Sequence, residues 1–202
     1  MKPGTTPFPV FLDLDGRTCL VIGSGKEAGR KAALLRRAGA QVHRSAGFSG
    51  DLPADTALVI VAETPLPVAE SVARAAQWRG VLVNVVDRPH LCNFIVPAIV
   101  DRAPVTLAIS TAGTAPGLAK MLRVILERAL PRRLGDLAAL AGAFRPLVAR
   151  RIADAGMRRR FWRRIFTGPV AALSLAGKPA SGALLAALDE AAAEPSSPRE
   201  AA

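Results

Sequence analysis

Three groups of residues in this chain have types and spacings that could do chemistry. The first lies in NVVDRPHLCNF, residues 84–94, where an apolar run ends abruptly in Asp87 and is followed by Arg88, His90 and Cys92. A carboxylate at the tip of a buried strand is placed to take a proton from a bound substrate. The carboxyl edge of a parallel sheet is also where α/β proteins hold ligands. Asp, Pro and Asn are turn formers as well, so a plain turn accounts for the same spelling. His90 and Cys92 invite a metal reading with Asp87. A metal centre needs several well-directed donors, and side chains from one short loop need not converge. No metal is assigned.

The second group is GSGKEA, in which Gly23, Ser24, Gly25, Lys26, Glu27 and Ala28 spell G-x-G-x-x-A directly after a strand-like run and at the start of a helix-like one. Gly23 permits a tight turn, Gly25 lets backbone N–H groups approach a pyrophosphate, and Ala28 lets helix and sheet pack closely. The acidic residue that usually ends the second strand and binds the ribose is absent. His43, Arg44 and Ser45 stand there instead. Ser45 is the candidate for a ribose hydroxyl, and Arg44 leaves NADP open beside NAD. The third group, Ser110, Thr111, Gly113 and Thr114, precedes a helix-like run. Hydroxyls and backbone N–H groups there suit a substrate carboxylate, with an ordinary helix cap, Thr114 as N-cap, as the alternative.

These groups need elements to position them. TCLVIG, AQVHRS, ALVIVAE (57–63) and VLVNVV (81–86) read as strands, and the last two are apolar on both faces, as in a parallel sheet. Helical spacing in 26–38 puts Ala28, Ala32, Leu35 and Ala38 near one face, and Pro65 to Trp78 reads as a second helix. The alternation predicts a Rossmann-like α/β domain. From Gln41 to Ala57 there is no room for a third strand–helix unit, so the domain is shortened. After residue 94, FIVPAIVDR and VTLAIS read as two strands joined by a turn at Ala103-Pro104. From Leu134 the pattern is helical, near 134–155, 157–166 and 181–193, with breaks at Gly156, Gly168-Pro169 and Lys178-Pro179. The tail 195–202 is expected to be disordered.

Composition narrows the class. Lys and Arg number 27 against 16 Asp and Glu, a net charge of +11 over 202 residues, and residues 123–164 hold 12 arginines against 3 acids. Such a patch seeks an anion, and the planar guanidinium suits carboxylate as well as phosphate. A nucleic-acid partner is not expected, because no recognition motif appears and there is no Tyr. Of Arg158, Arg159 and Arg160, helical periodicity lets one or two reach a ligand. No uninterrupted apolar stretch is long enough for a membrane span. The start lacks the apolar core of a signal peptide, and Cys19 and Cys92 form no disulfide framework. A cytoplasmic protein without membrane contact is expected.

Four blocks in order, FPVFLDLDGRTCLVIGSGKEAGRKA, VNVVDRPHLCNFIVPAIVDRAPVTLAISTAGTAPGLAKMLR, LGDLAALAGAFRP and MRRRFWRRIF, resemble the siroheme synthase N-terminal module, the precorrin-2 dehydrogenase and sirohydrochlorin ferrochelatase family. The resemblance runs from about residue 7 to about residue 170. It implies a homodimer with a Rossmann-like NAD-binding domain at 1–95, a dimerisation region at 96–131 and a helical C-terminal region at 132–194. It implies NAD-dependent oxidation of precorrin-2 to sirohydrochlorin, to which many members add ferrous iron insertion, and it makes Asp87 the catalytic residue. A non-catalytic tetrapyrrole or metal carrier on the same scaffold is the alternative. The chain departs from the family spelling at Ser24, Glu27, Glu63-Thr64-Pro65 and Ala112.

Overall fold

The strand-forming runs of the first half pair side by side in a computed structural model that describes residues 6–193. β1 (Thr18–Ile22), β2 (Gln41–Ser45), β3 (Thr56–Val61) and β4 (Leu82–Val85) make a four-stranded parallel sheet in the order β2-β1-β3-β4. Successive side chains of a strand point to opposite faces, and two helices cover the two faces. Leu20, Ile22, Val59, Val61, Val83 and Val85 pack on α2 (Leu66–Trp78) through Ala69, Val72, Ala73 and Ala76. Cys19, Val21, Leu58 and Ile60 pack on α1 (Lys26–Arg37) through Ala28, Ala32 and Leu35. The alanines let both helices lie close to the sheet. Ala38, expected on this apolar face, follows the helix end and is exposed.

The connection from β2 to β3 holds no helix. Leu52 anchors it in the core, and the Arg79 guanidinium, just past α2, donates to the carbonyls of Leu52, Pro53 and Ala54. One cation therefore satisfies the carbonyls of the shortcut.

The chain divides into two compact units. The first comprises the residues up to Pro97 with Ser110–Pro116, and the second comprises Ala98–Ile109 with the chain from Gly117. In the second, β5 (Ala98–Arg102) and β6 (Val105–Ile109) pair antiparallel, joined through a cis Ala103–Pro104 peptide. The strand expected from Phe94 starts only after Pro97, which has no N–H to give a ladder. The carbonyls of Arg102 and Ala103 lie directly over Gly135 in the first turn of α4 (Leu134–Arg151), where any Cβ would collide with them.

α3 (Pro116–Ala129) precedes α4. Next come α5 (Ala155–Thr167), α6 (Pro169–Leu175) and α7 (Ser181–Ala193). Their core is Val148, Ile152, Phe161, Ile165, Leu184 and Leu188, each fully buried side chain contributing roughly 1.5–3 kcal/mol. The expected break at Gly156 falls instead at Ile152–Asp154. The Asp154 carboxylate accepts from the Met157 N–H at 2.7 Å and caps α5, so Gly156 is helical. α6 is an addition to the expected helices, and its seven residues are too few for a periodicity to register. Among the described residues no helix is long and apolar enough to cross a membrane. The tail expected to be disordered lies outside the described residues.

Candidate functional site

β1 sits between β2 on one side and β3 on the other, so the chain reverses direction across the sheet between β1 and β3. In a parallel sheet the crevice at that switch point, at the carboxyl ends, is the place for a ligand. The loop after β1 is Gly23-Ser24-Gly25. Gly23 has φ +136°, its N–H donates to the Ser45 carbonyl at 2.7 Å, and a Cβ on it would land on the carbonyl oxygen of Ala62. Ala28 is fully buried beneath the loop. Lys26 and Ser24 are exposed, and the Glu27 carboxylate pairs with Arg30 and Lys31 on its own helix. Those pairs, the Arg30 hydrogen bond first, hold Glu27 below the usual carboxylate range.

The N-terminus of α1 is not vacant. Glu63, at φ +56° in the loop after β3, points its carboxylate at it. Its Oε2 accepts from the N–H groups of Glu27 at 3.0 Å and Ala28 at 3.3 Å. The backbone thus has the form that a pyrophosphate needs, with an internal anion seated in it. Ser45, the ribose candidate, turns its hydroxyl to the Gly47 carbonyl at 2.7 Å. Arg44 reaches the Gly23 carbonyl at 3.4 Å, so it borders the same loop.

Asp87 follows β4 and is exposed, with φ +62°. That left-handed conformation is uncommon outside Gly, Asn and Asp, and such residues cluster at functional sites. Among the described residues its carboxylate makes no hydrogen bond. Arg88 beside it donates to the Thr64 carbonyl at 3.3 Å and ties this loop to the one after β3.

The residues after Asp87 close the sheet. Asn93 Oδ1 accepts from the Val83 N–H at 2.7 Å, its Nδ2 donates to the Val81 carbonyl at 3.0 Å, and its own N–H donates to the Val83 carbonyl at 3.0 Å. Cys92 Sγ accepts from the Val85 N–H at 3.1 Å, and Asn84 Nδ2 donates to the Phe94 carbonyl at 3.0 Å. The side chains of Asn93 and Cys92, met by Asn84 of β4 itself, therefore stand in for a neighbouring strand along the outer edge of β4. Burial pushes the Cys92 thiol up. Its place in the loop is explained by this edge, which the sequence reading did not foresee. The signal was present in the polar residues Asn84 and Asn93 flanking an otherwise apolar strand end.

Ser110, Thr111, Gly113 and Thr114 lie in the segment that belongs to the first unit. Ala112 and Gly113 have φ of +54° and +81°, making a tight turn. Ser110 Oγ accepts from the Ala112 N–H at 3.1 Å, and Thr111 Oγ1 accepts from the Ala115 N–H at 3.3 Å. Thr114, expected to cap the helix, donates its hydroxyl to the Thr111 carbonyl at 2.6 Å, because α3 begins only at Pro116.

The second unit has its own concavity, a groove of about 810 Å³ bordered by Leu137, Arg145, Arg158, Arg159, Trp162 and Phe166. Trp162 and Phe166 stack with centroids 5.7 Å apart. Two of the three consecutive arginines reach this groove and Arg160 does not, as helical periodicity requires. Arg158 is further held by the carbonyls of Ile152 and Ala153 at 2.8 and 2.6 Å.

The profile of a family described as putative NAD(P)-binding matches residues 10–46 and 43–98, and that of the sirohaem synthase dimerisation region matches residues 133–194. A siroheme synthase of Nitrosospira multiformis is 40% identical over 195 residues, covering 84% of this chain and 41% of its own length. Over most of its length the chain is thus similar to siroheme synthases. A siroheme synthase of Pseudomonas aeruginosa (strain PAO1) is 43% identical over 194 residues, covering 85% of this chain and 42% of its own. This module therefore spans about two fifths of the length of those relatives. A solved structure described as SirC, precorrin-2 dehydrogenase, superposes with a TM-score of 0.64 at 21% identity over 91% of this chain and all of that one, which supports the fold of the module.

Proposed function

We propose that this module oxidises precorrin-2 to sirohydrochlorin with NAD, in siroheme biosynthesis, as a cytoplasmic homodimer. The observation that carries the reading is Asp87: a solvent-facing carboxylate in a left-handed conformation, on the same sheet edge as a glycine loop of dinucleotide form. NAD would supply the hydride acceptor. The chain's own residues do the rest. Gly23, Ser24, Gly25, Lys26, Glu27 and Ala28 offer the backbone of a pyrophosphate cradle, and Ser45 would hold a ribose hydroxyl. Asp87 takes the proton that leaves the macrocycle as the hydride departs. The turn of Ser110, Thr111, Gly113 and Thr114 offers a substrate carboxylate the hydroxyls of Ser110 and Thr111, whose oxygens accept within the turn while their own protons remain to be donated.

The division proposed is a cofactor domain at 1–95, a dimerisation region at 96–131 and a helical region at 132–194; the family described as the sirohaem synthase dimerisation region matches 133–194, so the helical region is proposed to share in the pairing. Among the described residues no further strand pairs with the hairpin β5–β6, and a two-stranded sheet is marginal alone. Pairing with a second copy would cover it. Ferrous iron insertion into sirohydrochlorin is the second half-reaction proposed, with the metal as substrate. A carrier without redox activity is the second reading, favoured by the Glu63 carboxylate seated in the glycine loop.

Anaerobic incubation with precorrin-2 and NAD tests the proposal. The protein should form NADH and sirohydrochlorin in step, and Asp87→Asn should lose about two orders of magnitude or more in turnover, the scale of a general base. Asn tolerates the left-handed backbone as well as Asp does, so the variant should fold. An Asp87→Asn protein with undiminished turnover would end the catalytic role. Binding of tetrapyrrole without NADH formation would leave the carrier.

A further inference from the structure

We infer that Glu63 is an internal competitor of the cofactor, a carboxylate that occupies the pyrophosphate position of the glycine loop and sets the affinity for the dinucleotide. The inference rests on the reading of the loop as an NAD site. Three observations carry it. The Glu63 Oε2 accepts from two successive N–H groups, of Glu27 and Ala28, at the start of α1, the donors a phosphate oxygen would use. A Cβ built on Gly25 would fall on the Glu63 carboxylate itself, so the space that the glycine keeps open is filled by this group. And Glu63 reaches the loop from the end of β3 through a backbone at φ +56°, a conformation disfavoured for a residue with a Cβ. The arrangement sits at the switch point between β1 and β3, where the crevice for a dinucleotide must lie.

A pyrophosphate cannot share this place. It would need the same N–H groups and would bring like charge against the carboxylate at contact distance. Binding therefore requires Glu63 to leave, with loss of its two charge-assisted hydrogen bonds. When no cofactor is bound the carboxylate satisfies the helix terminus, whose first N–H groups have no partner within the helix. The expected consequence is a binding constant for NAD weaker than the loop alone would give, by a factor of about ten or more, the scale of one hydrogen bond to a charged group.

Titration calorimetry of the full chain with NAD, inorganic pyrophosphate and adenosine tests this for wild type, Glu63→Gln and Glu63→Ala, with circular dichroism as the check on folding. NAD and pyrophosphate should both bind Glu63→Ala about tenfold or more tightly than wild type. Adenosine, which lacks the pyrophosphate, should be unaffected. Glu63→Gln keeps the shape and removes the charge, so it should gain in the same direction and serves if the alanine variant unfolds. NAD affinities that agree within about twofold across the three proteins would overturn the competition and leave the cofactor reading standing. An equal gain for adenosine would overturn it too, by pointing to a general loosening of the crevice. If no protein of the series binds NAD, the cofactor reading falls and this inference with it.

Discussion

Replacing Asn93 with alanine tests the account of how the loop after Asp87 is held. The side chain serves two backbone groups of β4 and its approach, accepting from the Val83 N–H at 2.7 Å and donating to the Val81 carbonyl at 3.0 Å. Val83 is fully buried, so its N–H would be left facing protein. An orphaned buried donor or acceptor costs about 1–3 kcal/mol. Asn93 itself is exposed, and water entering the truncated site would recover part of that. The sum is therefore about 2–4 kcal/mol for the two groups, which moves a urea midpoint by on the order of 1–2 M at an ordinary slope. The chain has two units and need not unfold in one step, so the readout must belong to the first. Cys19 is fully buried in β1, and its rate of alkylation against urea reports opening of the parallel sheet. Gln77→Ala, which loses only an exposed contact to the Leu91 carbonyl at 3.4 Å, is the control and should stay within about 0.5 kcal/mol. An Asn93→Ala midpoint indistinguishable from that control would refute the reasoning and return the loop to an ordinary turn.

Cys92 should resist iodoacetamide at neutral pH in the folded protein and react quickly in urea, because burial raises its thiol and the Val85 N–H engages its sulfur; rapid labelling of the native chain would contradict that contact. The Met157 N–H, ahead of burial and the Gly156 N–H, sets the depressed carboxyl of Asp154. The cap's contribution is therefore complete above the ordinary carboxylate range and lost as pH falls through the depressed folded value. The helical signal and stability of wild type and Asp154→Ala should converge on acidification, and a difference constant with pH would count against the cap. Arg159→Glu should weaken tetrapyrrole binding and leave NAD binding unchanged, since Arg159 borders the groove of the second unit; equal loss of both would point to misfolding. Sedimentation should show a dimer at micromolar concentration, and a stable monomer would leave the edges of β5 and β6 without their proposed partner.

The parallel sheet was legible because ALVIVAE and VLVNVV are apolar on both faces, a composition that only a strand covered from two sides tolerates. The glycine loop was legible because a strand, two glycines and a helix came in the order the geometry demands. What stayed hidden were features made by residues distant in sequence. Nothing near GSGKEA announces that Glu63 will fill it, since the contact spans 36 positions and depends on which strand neighbours β1. The spelling Leu91-Cys92-Asn93-Phe94 looks like a metal or turn motif until the empty edge of β4 shows which donors and acceptors need partners. The start of α5 was misplaced because Gly156 was read as a breaker, whereas the cap three residues before Met157 decides where that helix begins.

The boundary between the two units is crossed more than once. The chain passes from the first unit to the second at Pro97, returns at Ser110 and leaves again after Pro116. No single cut can therefore release either unit with all of its residues: a break at 97 strips the first of its 110–116 segment, and a break at 116 leaves the β5–β6 hairpin attached to the wrong half. Neither unit is a cassette that gene fusion could exchange by one join. The glycine loop, the hairpin and the helices α4–α7 therefore travel together in any exchange made by one join.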